Sequence, residues 1–268
     1  MVTTPISDTS SWLAVQNMTM RFGGLLALDS VSFGISAGEI VGVIGPNGSG
    51  KTTLFNLISG RLKPDHGVIR FAGNHITGAK PHVIARLGMA RTFQEVRIYR
   101  HLTVMENMLF ALRRGQCESV WSAIAGKRDI IRKERAQTKI AEEWLDRVLL
   151  LDKRDRLASQ LSYGQAKLLE IARALCIDPK LVLLDEPAAG LSPQGTLILH
   201  SLLEAIRTSG TTVLFIEHNL SSVREIADRV IAFGSGRLIA SGVPADVIGH
   251  PAVDEAYSGH RGVYSAGT

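Results

Sequence analysis

The fold is decided by the stretch Gly45-Pro46-Asn47-Gly48-Ser49-Gly50-Lys51-Thr52, which a second threonine, Thr53, follows. It matches the phosphate-binding pattern G-x-x-x-x-G-K-[ST] at every fixed position. The apolar run 39–44 before it predicts a buried strand, and residues 53–58 after it predict a helix that ends at Gly60. A glycine-rich loop in this setting turns backbone N–H groups and the positive end of a helix toward phosphates. The stretch therefore predicts that the chain binds a nucleoside triphosphate.

Two side chains of this loop have defined roles in the pattern. Lys51 is expected to reach the β- and γ-phosphates, and the hydroxyl of Thr52 is expected to join a magnesium shell. The alternative is a plain glycine-rich turn between core elements, and the strand before and helix after the loop argue against it. The remaining phosphate-site residues are predicted to be Gly45, Pro46, Asn47, Gly48, Ser49, Gly50 and Thr53.

Composition sets limits on the class of protein. The chain has 268 residues, 45% of them hydrophobic, and 30 Lys and Arg against 25 Asp and Glu give a net charge of +5. This mild, scattered excess suits an anionic nucleotide or a membrane-facing setting and does not by itself indicate nucleic acid. Cys117 and Cys176 are isolated, which argues against a disulfide framework or a zinc site and favours a reduced, cytosolic protein. No signal peptide and no run of about eighteen apolar residues is present, so we expect a soluble chain.

Hydrophobic patterning predicts an α/β fold. Strands predicted at 13–19, 30–36 and 67–73 suggest an antiparallel sheet beside the nucleotide core, and alternating strands and helices after residue 164 predict a mainly parallel sheet. Residues 115–128 fit no period and are interpreted as a variable insertion. Residues 129–150 predict a long helix with one apolar face, formed by Ala136, Ile140, Trp144, Leu145 and Val148.

Basic residues gather near the start of that helix. They could form an arm for nucleic acid, but Asp129 and Glu134 interrupt the run, so a solvated helix face is preferred. We expect no nucleic-acid partner.

The second chemical signal is Leu181-Val182-Leu183-Leu184-Asp185-Glu186. An apolar strand that ends in two carboxylates delivers them to the edge where α/β proteins bind ligands. Asp185 is expected to hold magnesium, and Glu186 is expected to act as the general base for the attacking water. Acidic residues at a strand end also serve as helix caps, but the phosphate loop favours the catalytic interpretation.

The family is indicated by Leu161-Ser162-Tyr163-Gly164-Gln165. Together with the phosphate loop and the Asp-Glu strand, it resembles the signature sequence of ATP-binding-cassette ATPases, the motor subunits of ABC transporters. The usual form is L-S-G-G-Q, from which Tyr163 departs. In the family this motif meets the γ-phosphate held by a second ATPase subunit, so the resemblance implies that Ser162, Gly164 and Gln165 bind the partner's ATP.

The same resemblance assigns further residues. Gln94 matches the glutamine that links the magnesium site to the membrane subunit, His218 the histidine that contacts the γ-phosphate, and residues 189–192 the loop that touches the partner cassette. Phe22 matches the aromatic residue on which adenine stacks, although a core role is the alternative. ATP and Mg²⁺ are the implied cofactors.

The resemblance also implies an organisation. Residues 12–95 and 180–240 would form the nucleotide-binding core with its β-subdomain, 96–178 a helical subdomain with the signature, and 241–268 a tail. The chain would lie on the cytoplasmic face of the membrane, held there by transmembrane permease subunits. We expect residues 97–100, which mix cations with Ile98 and Tyr99, to be part of that contact surface.

Finer motifs resemble the larger ATPase of branched-chain amino acid importers. They are Ala90-Arg91-Thr92-Phe93-Gln94, Tyr163, residues 187–191, Glu217-His218-Asn219 and Tyr257-Ser258-Gly259. Importers of urea or short amides use similar ATPases, and a lipopolysaccharide-export ATPase is a more distant alternative. A soluble cassette ATPase acting on DNA or ribosomes is a different class. It usually has two cassettes or a long coiled-coil insertion, and this chain shows neither.

Overall fold

The central sheet is built from the short apolar runs that the sequence predicts. In the computed structural model, which describes residues 11–114 and 127–259, its strand order is β10-β9-β3-β8-β7-β6. Neighbouring strands run parallel except for the hairpin of β9 and β10. Its strands are β3 (Ile40–Ile44), β6 (Met89–Arg91), β7 (Leu181–Asp185), β8 (Thr212–Ile216), β9 (Arg229–Gly234) and β10 (Arg237–Gly242).

A second sheet confirms the antiparallel layer that the early strands predict. Its order is β2-β1-β4-β5, and every pairing in it is antiparallel. Its strands are β1 (Leu13–Phe22), β2 (Leu25–Ile35), β4 (His66–Phe71) and β5 (Asn74–His75).

The helices begin and end where the sequence carries caps and breakers. The Ser192 hydroxyl accepts a hydrogen bond from the Gly195 amide at 3.1 Å, Pro193 follows it, and Gly210 ends that helix at φ 79°. The helices are α1 (Lys51–Ile58), α2 (Pro81–Arg86), α3 (Val104–Arg114), α4 (Lys127–Arg147), α5 (Tyr163–Leu175), α6 (Pro193–Ser209), α7 (Leu220–Ile226), α8 (Pro244–Ile248) and α9 (Pro251–Gly259). Among the described helices, none has the length and hydropathy needed to cross a bilayer.

Alternating residues of the central strands divide the interior into two cores. In β7, Leu181 and Leu183 pack with the antiparallel sheet and α1, whereas Val182 and Leu184 pack with α3 to α7. Every residue of β7 is buried, which explains its continuous apolar sequence. Since β3, β7 and β8 are parallel neighbours, the residues that follow them meet at one edge of the sheet.

The apolar face predicted for the long helix is wrong in its first half. Leu145 and Val148 are buried as predicted, but Ala136 and Ile140 are exposed, and Gln137 and Ala141 are the buried residues there. The buried face runs through a polar glutamine, which an apolar pattern does not reveal.

The predicted insertion and one of the two cysteines lie largely outside the described residues. The insertion predicted at 115–128 covers residues 115–126, which the structure does not describe, and Cys117 lies among them. Cys176 is buried without a disulfide, and burial raises the pKa of its thiol to about 12.

Candidate active site

The phosphate loop leads from β3 to the start of α1 and depends on glycine at two positions. Gly45 has φ 146°, and a Cβ there would lie 2.4 Å from the carbonyl oxygen of Phe233. Gly50 has φ 102°, and its Cβ would lie 2.6 Å from the carbonyl oxygen of Ala27. L-residues with a side chain rarely adopt this conformation, and both close approaches are to backbone atoms. The loop therefore requires glycine at both places.

Lys51 lies across its own loop. Its ammonium group donates to the carbonyl oxygens of Gly45 at 2.7 Å and Pro46 at 2.8 Å. Burial lowers the pKa of Lys51 to about 8, and the negative charges of Glu186 and Asp185 oppose that effect. The structure thus places the predicted lysine beside both predicted carboxylates.

Asp185 is almost fully buried at the end of β7, and Arg91 is its cationic neighbour. Arg91 Nη2 lies 3.5 Å from Asp185 Oδ2, while Nη1 donates to Asn56 Oδ1 on α1 at 2.9 Å and to Oγ of Ser59, the residue after α1, at 2.7 Å. Burial raises the pKa of Asp185, and Arg91 opposes that shift. Arg91 therefore joins the carboxylate to the helix that follows the phosphate loop.

Glu186 and His218 form a carboxylate–imidazole pair. His218 Nε2 lies 3.0 Å from Glu186 Oε1, and both side chains are partly open to solvent. Glu186 follows β7 with φ 49°, and its amide donates to the carbonyl of Ile216 at the end of β8. The two predicted residues thus come together although 32 positions separate them in sequence.

The signature residues open α5. The Ser162 hydroxyl accepts from the Gln165 amide at 3.3 Å, and the Gln165 side chain accepts from the Ser162 amide at 3.1 Å. This reciprocal pair is a capping box, and the residues at the helix start, Ser162 and Tyr163, are exposed. Tyr163, the departure from the usual motif, is 54% exposed and lies beside Gly190, where an added Cβ would come within 2.7 Å of its ring.

Gln94 and Phe22 lie at the surface. Gln94 is exposed and borders a groove of about 290 Å³ together with Ile98, Ser159 and Leu161. Phe22 is 45% exposed at the end of β1 and is outside both cores, so its alternative core role is not what the structure shows.

Three of the four residues 97–100 are exposed, and Ile98 is the exception. Ile98 is half-buried and packs on the core, and the ring of Tyr99 packs edge-on against Phe110 at 4.6 Å. Their apolar surface is partly used inside the chain, so a substitution of either residue would also affect packing.

Several charged or polar residues of the site were missed by sequence reasoning. Lys167, Glu170 and Glu217 are buried, as is the guanidinium of Arg91, and Tyr257 accepts a hydrogen bond from the Gly45 amide at 2.9 Å. The sequence gives a weak indication of two of them, because Lys167 and Glu170 interrupt the apolar face of a predicted helix. Their partners are backbone atoms distant in sequence, which no local pattern reveals.

Taken together, the arrangement can bind a phosphate chain and activate water. A glycine-dependent loop, a lysine, a buried carboxylate and a carboxylate–imidazole pair lie at the ends of β3, β7 and β8. The described residues contain no group of three or more His, Cys, Asp or Glu side chains able to hold a metal alone.

Known proteins share this architecture. The profile of the ABC transporter family matches residues 28–189. The high-affinity branched-chain amino acid transport ATP-binding protein LivG of Salmonella typhimurium is 42% identical over 248 residues, covering 92% of this chain and 97% of LivG.

Solved structures agree with the family match. The ADP conformation of an ATP-binding cassette from an ABC transporter superposes with a TM-score of 0.79 at 34% identity, covering 94% of this chain and 100% of that one. A dimeric, post-hydrolysis cassette bound to ADP and Pi gives 0.73 at 25% identity, covering 87% and 98%. The chain therefore belongs to the ABC transporter family, as an ATP-binding cassette and an ATPase.

Proposed function

We propose that the chain is the ATP-hydrolysing motor of an ABC importer for branched-chain amino acids. The observation that carries the catalytic part is the convergence of Lys51, Asp185, Glu186 and His218 at one sheet edge. The transport part rests on the similarity to LivG, whose description names branched-chain amino acid transport.

The residues of the site fit ATP with Mg²⁺. The Thr52 hydroxyl and the Asp185 carboxylate are oxygen ligands of the kind Mg²⁺ prefers, and this ion is commonly held by one or two carboxylates plus substrate phosphates. When bound, it would neutralise charge on the β- and γ-phosphates. Burial of Asp185 with a single long ion pair to Arg91 leaves its charge poorly compensated, which favours a cation there. Gln94 lines the groove and would have to move from it to act as a ligand of the ion.

In the catalytic step, the chain's own residues position and deprotonate water. The loop residues 45–53 would orient the phosphates, and Lys51 would contact the β- and γ-oxygens. Glu186 would accept a proton from the attacking water as general base, and His218, 3.0 Å away, would orient that carboxylate and contact the γ-phosphate. Phe22, exposed at the end of β1, would stack on adenine.

We propose that a second cassette completes the site. Ser162, Gly164 and Gln165 lie at the start of α5, where amide groups and the helix dipole suit a phosphate. In this arrangement they would contact ATP held by the partner, and the partner's signature would contact ATP held here. A related cassette has been solved as a dimer with ADP and Pi. The partner would be a second copy or a different cassette.

The groove beside Gln94 is proposed as the contact with transmembrane permease subunits. It is lined by apolar side chains such as Ile98 and Leu161 next to the charged Glu95 and Arg100. A helix of the permease seated there would sense the position of Gln94. The chain would thus be peripheral on the cytoplasmic face of the membrane.

We also propose the division into a core (12–95 and 180–240), a helical part (96–178) and a tail (241–268).

Uptake by cells tests this function. Cells that lack the gene should lose uptake of labelled leucine and keep uptake of labelled urea, and the wild-type gene should restore leucine uptake. Ser159→Trp fills the groove at an exposed position and should fail to restore it, whereas Gln160→Trp, exposed just outside the groove, should succeed. Lost urea uptake with normal leucine uptake would show that the solute is urea, and the chain would still be the motor of an importer. Normal uptake of both would contradict the proposal and its urea alternative.

A further inference from the structure

The helix α5 carries two buried charged residues that the proposed chemistry does not use. Lys167 is 2% exposed and Glu170 is 6% exposed. They are three positions apart, so both lie on one face of the helix that the signature residues open. Charged side chains are rarely so buried unless they hold a defined partner.

Lys167 holds the segment that follows β7. Its ammonium group donates to the carbonyl oxygen of Glu186 and, at 2.9 Å, to that of Ala189. The first carbonyl belongs to the proposed base itself. The second belongs to the loop beside Tyr163, where Gly190 lies against the ring. One side chain of α5 therefore fixes both ends of the segment 186–189.

Glu217, the residue after the neighbouring strand β8, holds the same segment. Its carboxylate accepts from the Ala188 amide at 2.7 Å and from the His218 amide at 3.2 Å. The backbone between the base and the partner-facing loop is thus fixed between a buried cation on α5 and a buried anion after β8. Burial lowers the pKa of Lys167, and the carboxylates of Glu217, Glu186, Glu170 and Asp185 oppose the shift.

Glu170 contacts the backbone of the segment that follows Gln94. Its Oε1 accepts from the Arg97 amide at 3.2 Å, and Arg173, a further three positions along α5, donates to the Arg97 carbonyl at 2.8 Å. The helix α5 thus contacts two backbone segments, at Arg97 after Gln94 and at residues 186–189 after β7.

We propose that Lys167 is a positioning residue that couples the signature helix to the catalytic base. A shift of α5, caused at its start by the partner's phosphate, would move the carbonyl of Glu186 and the loop at Ala189 with it. Hydrolysis would then depend on closure of the second cassette over ATP. This inference rests on the proposed function, because it assigns Lys167 a role only if Glu186 is the base.

ATP binding and steady-state hydrolysis by the full chain, in the complex purified from membranes, test the coupling. Lys167→Met should bind ATP within about twofold of wild type, since Lys167 does not touch the phosphate site, but its kcat should fall by about tenfold or more. Lys167→Arg retains cationic donors and should recover most of the loss. The control Lys180→Met, at an exposed lysine before β7, should match wild type.

Two comparisons keep the outcome decisive. Lys167→Gln keeps a polar donor, so it should fold whether or not Lys167→Met does. Its side chain is one bond shorter and uncharged, so it should not hold both carbonyls, and kcat should still be lowered at wild-type ATP affinity. Wild-type kcat in Lys167→Gln, or a loss that Lys167→Arg does not recover, would overturn the coupling.

Glu186→Gln should bind ATP and lose turnover on the order of a hundredfold or more. If Glu186→Gln instead kept normal turnover, the proposed function would fail at the base, independently of Lys167.

Discussion

At the scale of single residues, Tyr257 joins the tail helix α9 to the phosphate loop. Its hydroxyl accepts the Gly45 amide hydrogen at 2.9 Å, at a position where φ is 146°. Tyr257→Phe would leave that amide without its acceptor at a cost of about 1–2 kcal/mol. We expect the affinity for ATP to fall by about three- to tenfold, because the loop loses an anchor at its first residue. Calorimetric titration with ATP measures this change.

The control for this prediction is Tyr99→Phe. It also removes one phenolic hydroxyl, from a ring that packs against Phe110 away from the phosphate loop. ATP affinity should be unchanged in that variant. Equal affinities for Tyr257→Phe and wild type would show that α9 does not influence the loop.

Motif residues and buried network residues differ in how well sequence predicts them. Lys51, Asp185 and Glu186 were located because their spacing from a strand follows from the chemistry of phosphate binding. Arg91 and Lys167 were missed because their partners lie far away in sequence. Lys167, for example, contacts carbonyls 19 and 22 positions away. Their roles depend on tertiary packing, which a single sequence does not display.

At the scale of elements, Arg229 joins the two sheets. From the start of β9 it donates to Glu39 Oε1 at 2.6 Å, to the Gly34 carbonyl at the end of β2 and to Ser241 on β10. Arg229→Met keeps the apolar stem but leaves the largely buried Glu39 without its cation. We expect the free energy of unfolding to fall by about 2–4 kcal/mol, as when one partner of a buried pair is removed. Denaturant unfolding followed by circular dichroism measures it.

An exposed ion pair provides the comparison. Lys139 and Glu143 lie 3.9 Å apart on α4, with side chains 79% and 57% exposed. Lys139→Met should therefore change the unfolding free energy by less than about 0.5 kcal/mol. If Arg229→Met were no more destabilising than Lys139→Met, the contacts of Arg229 between the two sheets would not contribute measurably to the free energy of unfolding.

Helix caps depend on a few neighbouring residues, whereas the buried face of α4, which was predicted wrongly in its first half, does not. Thr103 and Glu106 exchange the two hydrogen bonds of a capping box, at 3.1 and 2.7 Å, as the sequence indicates. Caps are local, since both partners lie within one turn. The orientation of α4 depends instead on its packing against α3 and α5, and there Gln137 is buried while Ile140 is exposed.

At the scale of the whole molecule, the order of motifs predicted the fold, and the structure explains why. The parallel neighbours β3, β7 and β8 each end at the same edge, so residues from three distant parts of the chain meet there. In the proposed function, the second half of the site comes from another subunit. The capped start of α5 is exposed, and its proposed ligand is bound by another subunit.

The mass of the intact complex tests the central claim most directly. The full chain with Glu186→Gln, extracted gently from membranes in the presence of ATP and Mg²⁺, should be measured by native mass spectrometry. A transport motor predicts two cassettes, either two copies of this chain or one copy with a second cassette, together with transmembrane subunits and bound ATP. A chain that carries ATP but is recovered as a single copy without any transmembrane subunit would contradict the account.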